Sequence, residues 1–345
     1  MSKFFGKSMI ATLFVALMSG ATFAAEVKSI AILTPEEGTD FGWNQQGVDA
    51  AKAAAEAAGI EVVVASGLGY GDVRPAMREV AADGASLIIA HASGYATAAP
   101  EIAAETNIPV AIVDSPNALK KGLVADYTLS GHQGAYLAGR MAAKMSKAKH
   151  VGIVVSGEPP SWNSQSAGFA EGVKAENKDV KITYAVIGPA AYSDAAGGRR
   201  VTESVIASGA DIIFGQGNGS SFGMLQAVET AKTPDGGKVL FIDVIGDKTS
   251  VAKEHLLTSV VWDITPVYTA MINDLKDDTF GTKRYAIGLA DNSVKLIKTA
   301  QIPDDVWNDI QKVREQIVSG EIKVEPVFEA TAVRGLMTDV SAAAQ

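Results

Sequence analysis

The feature that most constrains this chain is that part of it is written twice. ADGASLIIAHASG, from Ala82 to Gly94, matches ASGADIIFGQGNG, from Ala207 to Gly219, with Gly84 over Gly209, Ile88 over Ile213 and Gly94 over Gly219. Upstream, GYGD ending at Asp72 matches AYSD ending at Asp194. Earlier still, SIAIL and the pair Trp43-Asn44 are echoed by HVGIVV and Trp162-Asn163. The matches keep their order, so the chain should fold as two similar lobes.

Within the first copy, short β-branched runs alternate with helical stretches. SIAILT precedes a helix over about Trp43 to Ala58, and IEVVVA a helix near Arg74 to Ala82. SLIIA then precedes one near Ala96 to Thr106, and IPVAIVD follows. Such βαβα order predicts an α/β fold of two similar doubly wound parallel-sheet lobes joined by a multi-strand hinge. Val48, Ala51, Ala55 and Ala58 keep one apolar stripe on the first helix, and Gly59 stands where a left-handed cap belongs.

The first lobe is expected over residues 25–129. The segment LLTSVVWDITPVYTAMINDL reads as a strand and a long helix that return to it, over about 260–300. Residues 130–259, with part of the C-terminal segment, make the second lobe. QIPDDVWNDIQKVREQIVSGEI predicts a late helix between Pro303 and Gly320. Crossings between lobes form a hinge, and a hinge lets the lobes close on a ligand.

Residues 1–24 read as a cleaved signal peptide, with Lys3 and Lys7 before an apolar run from Met9 to Met18 and small residues up to Ala24. That run is shorter than the roughly 20 residues of a membrane span. Without this leader the formal charge moves from −9 to −11, which makes nucleic acid a poor partner. The chain has no cysteine, hence no disulfide framework and no lipidated cysteine to anchor it. The expected location is the periplasm, as a free monomer.

In open α/β sheets the ligand crevice lies beyond the carboxyl ends of the strands. In the first lobe the loops there are Thr34 to Asn44, Ser66 to Asp72, His91 to Tyr95 and Asp114 to Asn117. In the second they are Ser156 to Asn163, Gly188 to Asp194, Gln216 to Ser221 and Asp243 to Asp247. Facing lobes would set Trp43 and Trp162 on opposite walls. Aromatic faces suit a planar heterocycle, asparagine serves both donors and acceptors, and carboxylates such as Asp114 and Asp247 suit sugar hydroxyls.

Candidate ligand contacts are therefore Asp40, Phe41, Trp43, Asn44, Ser93, Tyr95, Asp114, Trp162, Gln216, Asn218, Asp243 and Asp247. A second reading stands beside the first: Phe41 or Trp43 packs the loop onto its helix, and Asp40 caps that helix. GQGNGSS lacks the P-loop ending and the dinucleotide spacing, so it reads as a cleft rim or a tight turn. No histidine has a partner at metal-ligand spacing, and His91 reads as a rim or packing residue rather than a general base. No metal or cofactor is expected, and no catalytic set is compelling.

TDFGWNQQGVDAAKAA, GAYLAGRMAAK, SAGFAEGVKA, ASGADIIFGQGNG and LLTSVVWD, in this order over nearly the whole mature chain, resemble the basic membrane protein family. The resemblance implies a substrate-binding protein of an ABC importer with the type I periplasmic binding fold, partnered by a permease and its ATPase. It implies a purine nucleoside as ligand, with the base between aromatic rings and the ribose on carboxylates. Asp40, Phe41, Trp43 and Asn44 fall on the family's Asp, aromatic and Asn motif, and Asp114, Asp243 and Asp247 follow less closely. Members usually read D-x-x-F-N, whereas DFGWN puts tryptophan at the aromatic position, and the family's frequent lipid-anchored cysteine is absent. A sugar receptor of the same fold and a secreted nucleoside hydrolase are the alternatives.

Overall fold

The computed structural model describes Met1 and residues 26–115, 117–233, 235–252 and 254–341. The expected leader lies outside the described residues, apart from Met1. The first lobe contains β1 (Ser29–Leu33), α1 (Trp43–Ala58), β2 (Glu61–Ala65), α2 (Arg74–Ala82), β3 (Leu87–Ala90), α3 (Ala98–Thr106), β4 (Val110–Ile112) and β5 (Val124–Asp126). Its five strands are all parallel, in the order β2-β1-β3-β4-β5.

The second lobe opens with α4 (His132–Met145), β6 (His150–Val155), α5 (Pro160–Glu176), β7 (Lys181–Val186), α6 (Ala195–Ala207), β8 (Ile212–Gln216), α7 (Ser220–Thr230) and β9 (Leu240–Ile245). It continues through α8 (Thr249–Ala252), β10 (Leu256–Trp262), α9 (Thr265–Lys276), β11 (Val294–Leu296), α10 (Asp304–Val318), α11 (Ala330–Gly335) and β12 (Asp339–Ser341). Seven strands run β11-β10-β9-β8-β6-β7-β12, with only β11 antiparallel to its neighbour. The run β7-β6-β8-β9-β10 repeats the strand order of the first sheet, and the duplicated sequence falls on β3 and β8.

The segment 260–300 does not return whole to the first lobe. Only α9, which packs on α1, and the turn after it do so, with the Tyr285 N–H donating to the Asp126 carbonyl at 3.2 Å. The strand β10 is buried along almost its full length and pairs with β9, and β11 then covers its outer edge. An apolar strand of this kind is satisfied inside a sheet. The chain therefore crosses between lobes after β5, after β10 and again before β11. The late segment stays on the second lobe, since α10 packs on α4, α11 on α5, and β12 pairs with β7.

The abundant glycine and alanine let helices approach closely. A Cβ on Gly172 of α5 would lie 2.1 Å from the Tyr136 carbonyl oxygen, and one on Gly139 of α4 would lie 2.1 Å from that of Phe169. Phe169 then reaches the sheet, stacking on Phe214 of β8 with centroids 4.4 Å apart. Burial of each such ring contributes about 2–3 kcal/mol.

Gly172→Ala raises helix propensity by about 1 kcal/mol but forces α4 and α5 apart. Overpacking is expected to win, with a net loss of about 1–3 kcal/mol in urea denaturation. A variant as stable as the parent would show that the helices do not approach this closely.

Candidate ligand-binding cleft

The carboxyl ends of both sheets border a shared, narrow cavity of about 30 Å³. The first lobe lines it with Pro35, Trp43, Tyr70, Ala92, Ser93 and Asp114, and the second with Ser161, Trp162, Tyr192, Asn218, Ile245 and Trp262. A wider hollow bordered by Lys147, Asp211, Thr233 and Gln301 lies at the amino ends of β8 and β9, and no aromatic side chain among the described residues lines it. The strand-end cavity is the one walled by aromatic rings, at the place where open α/β sheets bind ligands.

Trp43 is the most heavily supported wall. Its ring stacks on His91 with centroids 3.9 Å apart at 6°, its Nε1–H donates to the His91 carbonyl at 3.0 Å, and Trp262 meets it edge-on at 6.3 Å. Gly131, at the first crossing, leaves space for that indole, since a Cβ there would lie 2.3 Å from the Trp262 Nε1. From the second lobe Trp162 adjoins Tyr192 at 6.2 Å, and Tyr192 reaches Tyr70 across the cleft at 5.8 Å. Burial pushes the Tyr192 hydroxyl up to about 12, so it stays neutral at physiological pH.

Among the other residues singled out in the sequence, Ser93, Asp114, Trp162 and Asn218 also border the cavity. Asp40 does not. Its Oδ1 accepts from the Gly42 and Gln45 N–H groups, both at 3.0 Å, and its Oδ2 from the Asn44 N–H and side-chain amide at 3.1 and 2.8 Å. It thereby caps α1, whose first neighbour Gly42 has no side chain to offer. Asn44, the second residue of that helix, is turned back into the same loop and also reaches Glu36 at 3.3 Å. Its counterpart Asn163 braces likewise, donating to the Glu158 and Phe328 carbonyls at 3.0 and 2.8 Å.

The remainder sit elsewhere. Tyr95 is buried in the first lobe and donates to the Gly69 carbonyl at 2.7 Å. Gln216 is buried among Gln165 and Ser166, donating to the latter at 2.6 Å. Asp247 is exposed and accepts the Thr249 N–H at the start of α8. Asp243 is fully buried, with one oxygen 3.1 Å from the Lys248 ammonium. Burial raises its pKa and Lys248 opposes the rise.

Several polar contacts cross between lobes and hold the cleft closed. Asp114 Oδ1 accepts the Ser161 N–H at 3.0 Å near the start of α5, while Oδ2 accepts from Ser93. Burial raises the Asp114 pKa, and those hydrogen bonds work against it. Lys248 donates to the carbonyl of Phe41 at 2.9 Å, and Phe41 holds that carbonyl in left-handed backbone at φ 50°. Glu36 accepts from Tyr70 at 2.8 Å and from Ser193 of the opposite lobe.

Tyr70, Ser161, Tyr192 and Trp262 were not singled out in the sequence. The first and third occupy matching places in GYGD and AYSD, so the duplication itself was the signal. Trp262 ends β10, outside the expected strand-end loops of the repeat, and carries no such mark.

His91 is a packing histidine behind Trp43. Its Nε2–H donates to the Trp43 carbonyl at 2.8 Å, which leaves Nδ1, with its single lone pair, facing the hydroxyls of Tyr127 and Tyr268 at 2.9 and 2.8 Å. Burial lowers its pKa to about 4, against the Trp43 hydrogen bond. Between pH 6.5 and 4 the unfolded chain takes up a proton that the folded ring refuses, so stability falls as pH falls, by up to about 3 kcal/mol. Ring-proton NMR should show a midpoint near 4; one near the ordinary value of ~6.5 would refute this burial. Lys248→Met leaves Asp243 buried without its cation and is expected to cost about 3–5 kcal/mol in urea denaturation. A loss below about 1 kcal/mol would show that the pair is not desolvated.

Comparison with known proteins agrees with this architecture. Residues 27–326 match the family described as ABC transporter substrate-binding protein, PnrA-like. Basic membrane protein A1 of Borrelia garinii is 31% identical over 202 residues, 57% of this chain and 58% of that protein. The chain thus spans a little over half the length of that relative. A purine-binding protein of Brucella abortus is 25% identical over 318 residues, covering 91% of this chain and 87% of its own. Among solved structures, an ABC transporter solute-binding protein from Aeropyrum pernix K1 aligns with a TM-score of 0.74 at 19% identity, over 89% of this chain and 96% of that one. The fold is that of type I periplasmic solute-binding proteins, and the chain belongs to the PnrA-like family of ABC transporter substrate-binding proteins.

Proposed function

We propose that this chain is the periplasmic receptor of an ABC importer, capturing a purine nucleoside or nucleobase between its lobes and delivering it to the permease. The observation that carries this reading is the cleft itself: aromatic rings of both lobes border one small cavity, and no lysine or arginine among the described residues lines it. Stacking contributes about 1–3 kcal/mol per heterocyclic base. The name of the Brucella relative points to the same ligand class. The receptor performs no covalent chemistry. It works as a free monomer by favouring the closed arrangement, which the permease recognises while a separate ATPase supplies the energy.

The test is a thermal-shift and tryptophan-fluorescence screen of refolded protein against nucleosides, nucleobases and sugars. Refolding strips solute carried through purification. A true ligand at 100 times its Kd should add about 2.7 kcal/mol of stability, and fluorescence should respond because Trp43, Trp162 and Trp262 border the cleft. A response to a sugar with none to any purine compound would overturn the purine reading.

A further inference from the structure

We propose that closure of the lobes is limited by two latches related by the internal repeat, and that the tight one is a backbone contact, Gly246 of the second lobe against the Phe41–Gly42 peptide of the first. This concerns how far the lobes close and does not depend on which solute the cleft takes.

Each sheet supplies one latch from the end of its fourth strand, since β4 and β9 hold the same place in the repeated strand order. Just beyond β4, Asp114 turns left-handed at φ 58°, and its Oδ1 accepts the Ser161 N–H at 3.0 Å near the start of α5. At the end of β9, Ile245 turns left-handed at φ 70°. A β-branched residue rarely adopts that conformation. The Gly246 N–H donates back to the Val244 carbonyl at 2.9 Å, forming a strained γ-turn around Ile245. That turn carries Gly246 and Lys248 to the peptide just before α1, the helix whose Trp43-Asn44 is repeated by Trp162-Asn163 in α5. Both lobes therefore bend at the same point and grip backbone beside the first helix of the other repeat. Strain of this kind persists only where surrounding contacts hold it.

The latches differ in tightness. Asp114 reaches across with a side chain, whereas the second lobe brings up its main chain. A Cβ on Gly246 would lie 1.8 Å from the Phe41 carbonyl oxygen and 2.7 Å from its carbon. Chain neighbours aside, no atom of the second lobe would come nearer to it than 3.5 Å. The same carbonyl oxygen accepts from the Lys248 ammonium at 2.9 Å, and Asp243 stands behind that ammonium at 3.1 Å. On the other side, the Phe41 N–H is held by the Gln45 side chain at 3.0 Å, so the peptide is fixed within its own lobe. Gly246 itself has no left-handed φ. An alanine there fits its own backbone and its own lobe, and meets an obstacle only when the lobes come together.

The chain has no cysteine, so thiols placed at Glu36 and Ser193, whose side chains meet across the cleft, report approach of the lobes without background. Bridging of the Glu36→Cys/Ser193→Cys pair by dibromobimane, in refolded full-length protein, traps the closed arrangement from whatever fraction of molecules reaches it. Adding Gly246→Ala should slow bridging at least about tenfold, with a native circular dichroism spectrum and unchanged labelling of each thiol alone. Adding Asp243→Asn together with Lys248→Met removes the clamp without leaving a buried charge unpaired, and should slow bridging about tenfold. An unchanged rate in that clamp variant would overturn the role given to Lys248. An unchanged rate in the Gly246→Ala protein, or a parent pair that is never bridged, would overturn the proposal. So would a Gly246→Ala chain that fails to fold, because the tight neighbours of Gly246 would then lie in its own lobe.

Discussion

Parallel strands place all their carboxyl ends on one edge of a sheet, and the rest of this structure depends on two such edges facing each other. Side chains that follow the strands then converge without any long insertion. Because the strand order of the first sheet is repeated in the second, matching loops deliver matching residues to opposite walls. Trp43 and Trp162 are one such pair, and Tyr70 and Tyr192, which touch across the cleft, are another. Three crossings join the lobes, the arrangement from which a hinge is made.

What closes the cleft is largely polar, and it is directed at backbone. Asp114 takes an N–H near the start of α5, where the helix leaves its first donors free, and Lys248 takes the carbonyl of Phe41. Such contacts are lost together when the lobes separate and each partner returns to water, so they bias the closed state modestly. Apolar rings do the complementary work. They line most of the gap, and the polar side chains beside them are few, among them Ser93, Asp114, Ser161 and Asn218.

Legibility in the sequence followed the physical range of each signal. Periodicity located α1, and the cap that ends it at Gly59 has the expected left-handed φ of 66°. The duplication brought Trp43 and Trp162 to one cleft. It misled for Asn44, whose amide braces a loop as that of its counterpart Asn163 does. A repeated asparagine is equally compatible with a repeated turn and with a repeated contact, and only coordinates separate them. The acidic residues behaved alike. Asp40, Asp243 and Asp247 lie near the cleft in sequence, yet each is drawn to the closest unsatisfied N–H or cation. Local capping geometry sets that choice, and residue type does not reveal it.

By itself the sequence determined the fold class, the two-lobe organisation and the loops from which most of the cleft is built, because these follow from short-range periodicity and from a repeat that needs no coordinates to be seen. Tertiary structure decided which side chains of those loops face the gap, that β10 and β11 join the second sheet, and that Trp262 enters the wall from outside the expected loops. Those outcomes depend on how the hinge sets one lobe against the other. That is a balance of contacts between residues a hundred or more positions apart, which no local pattern records.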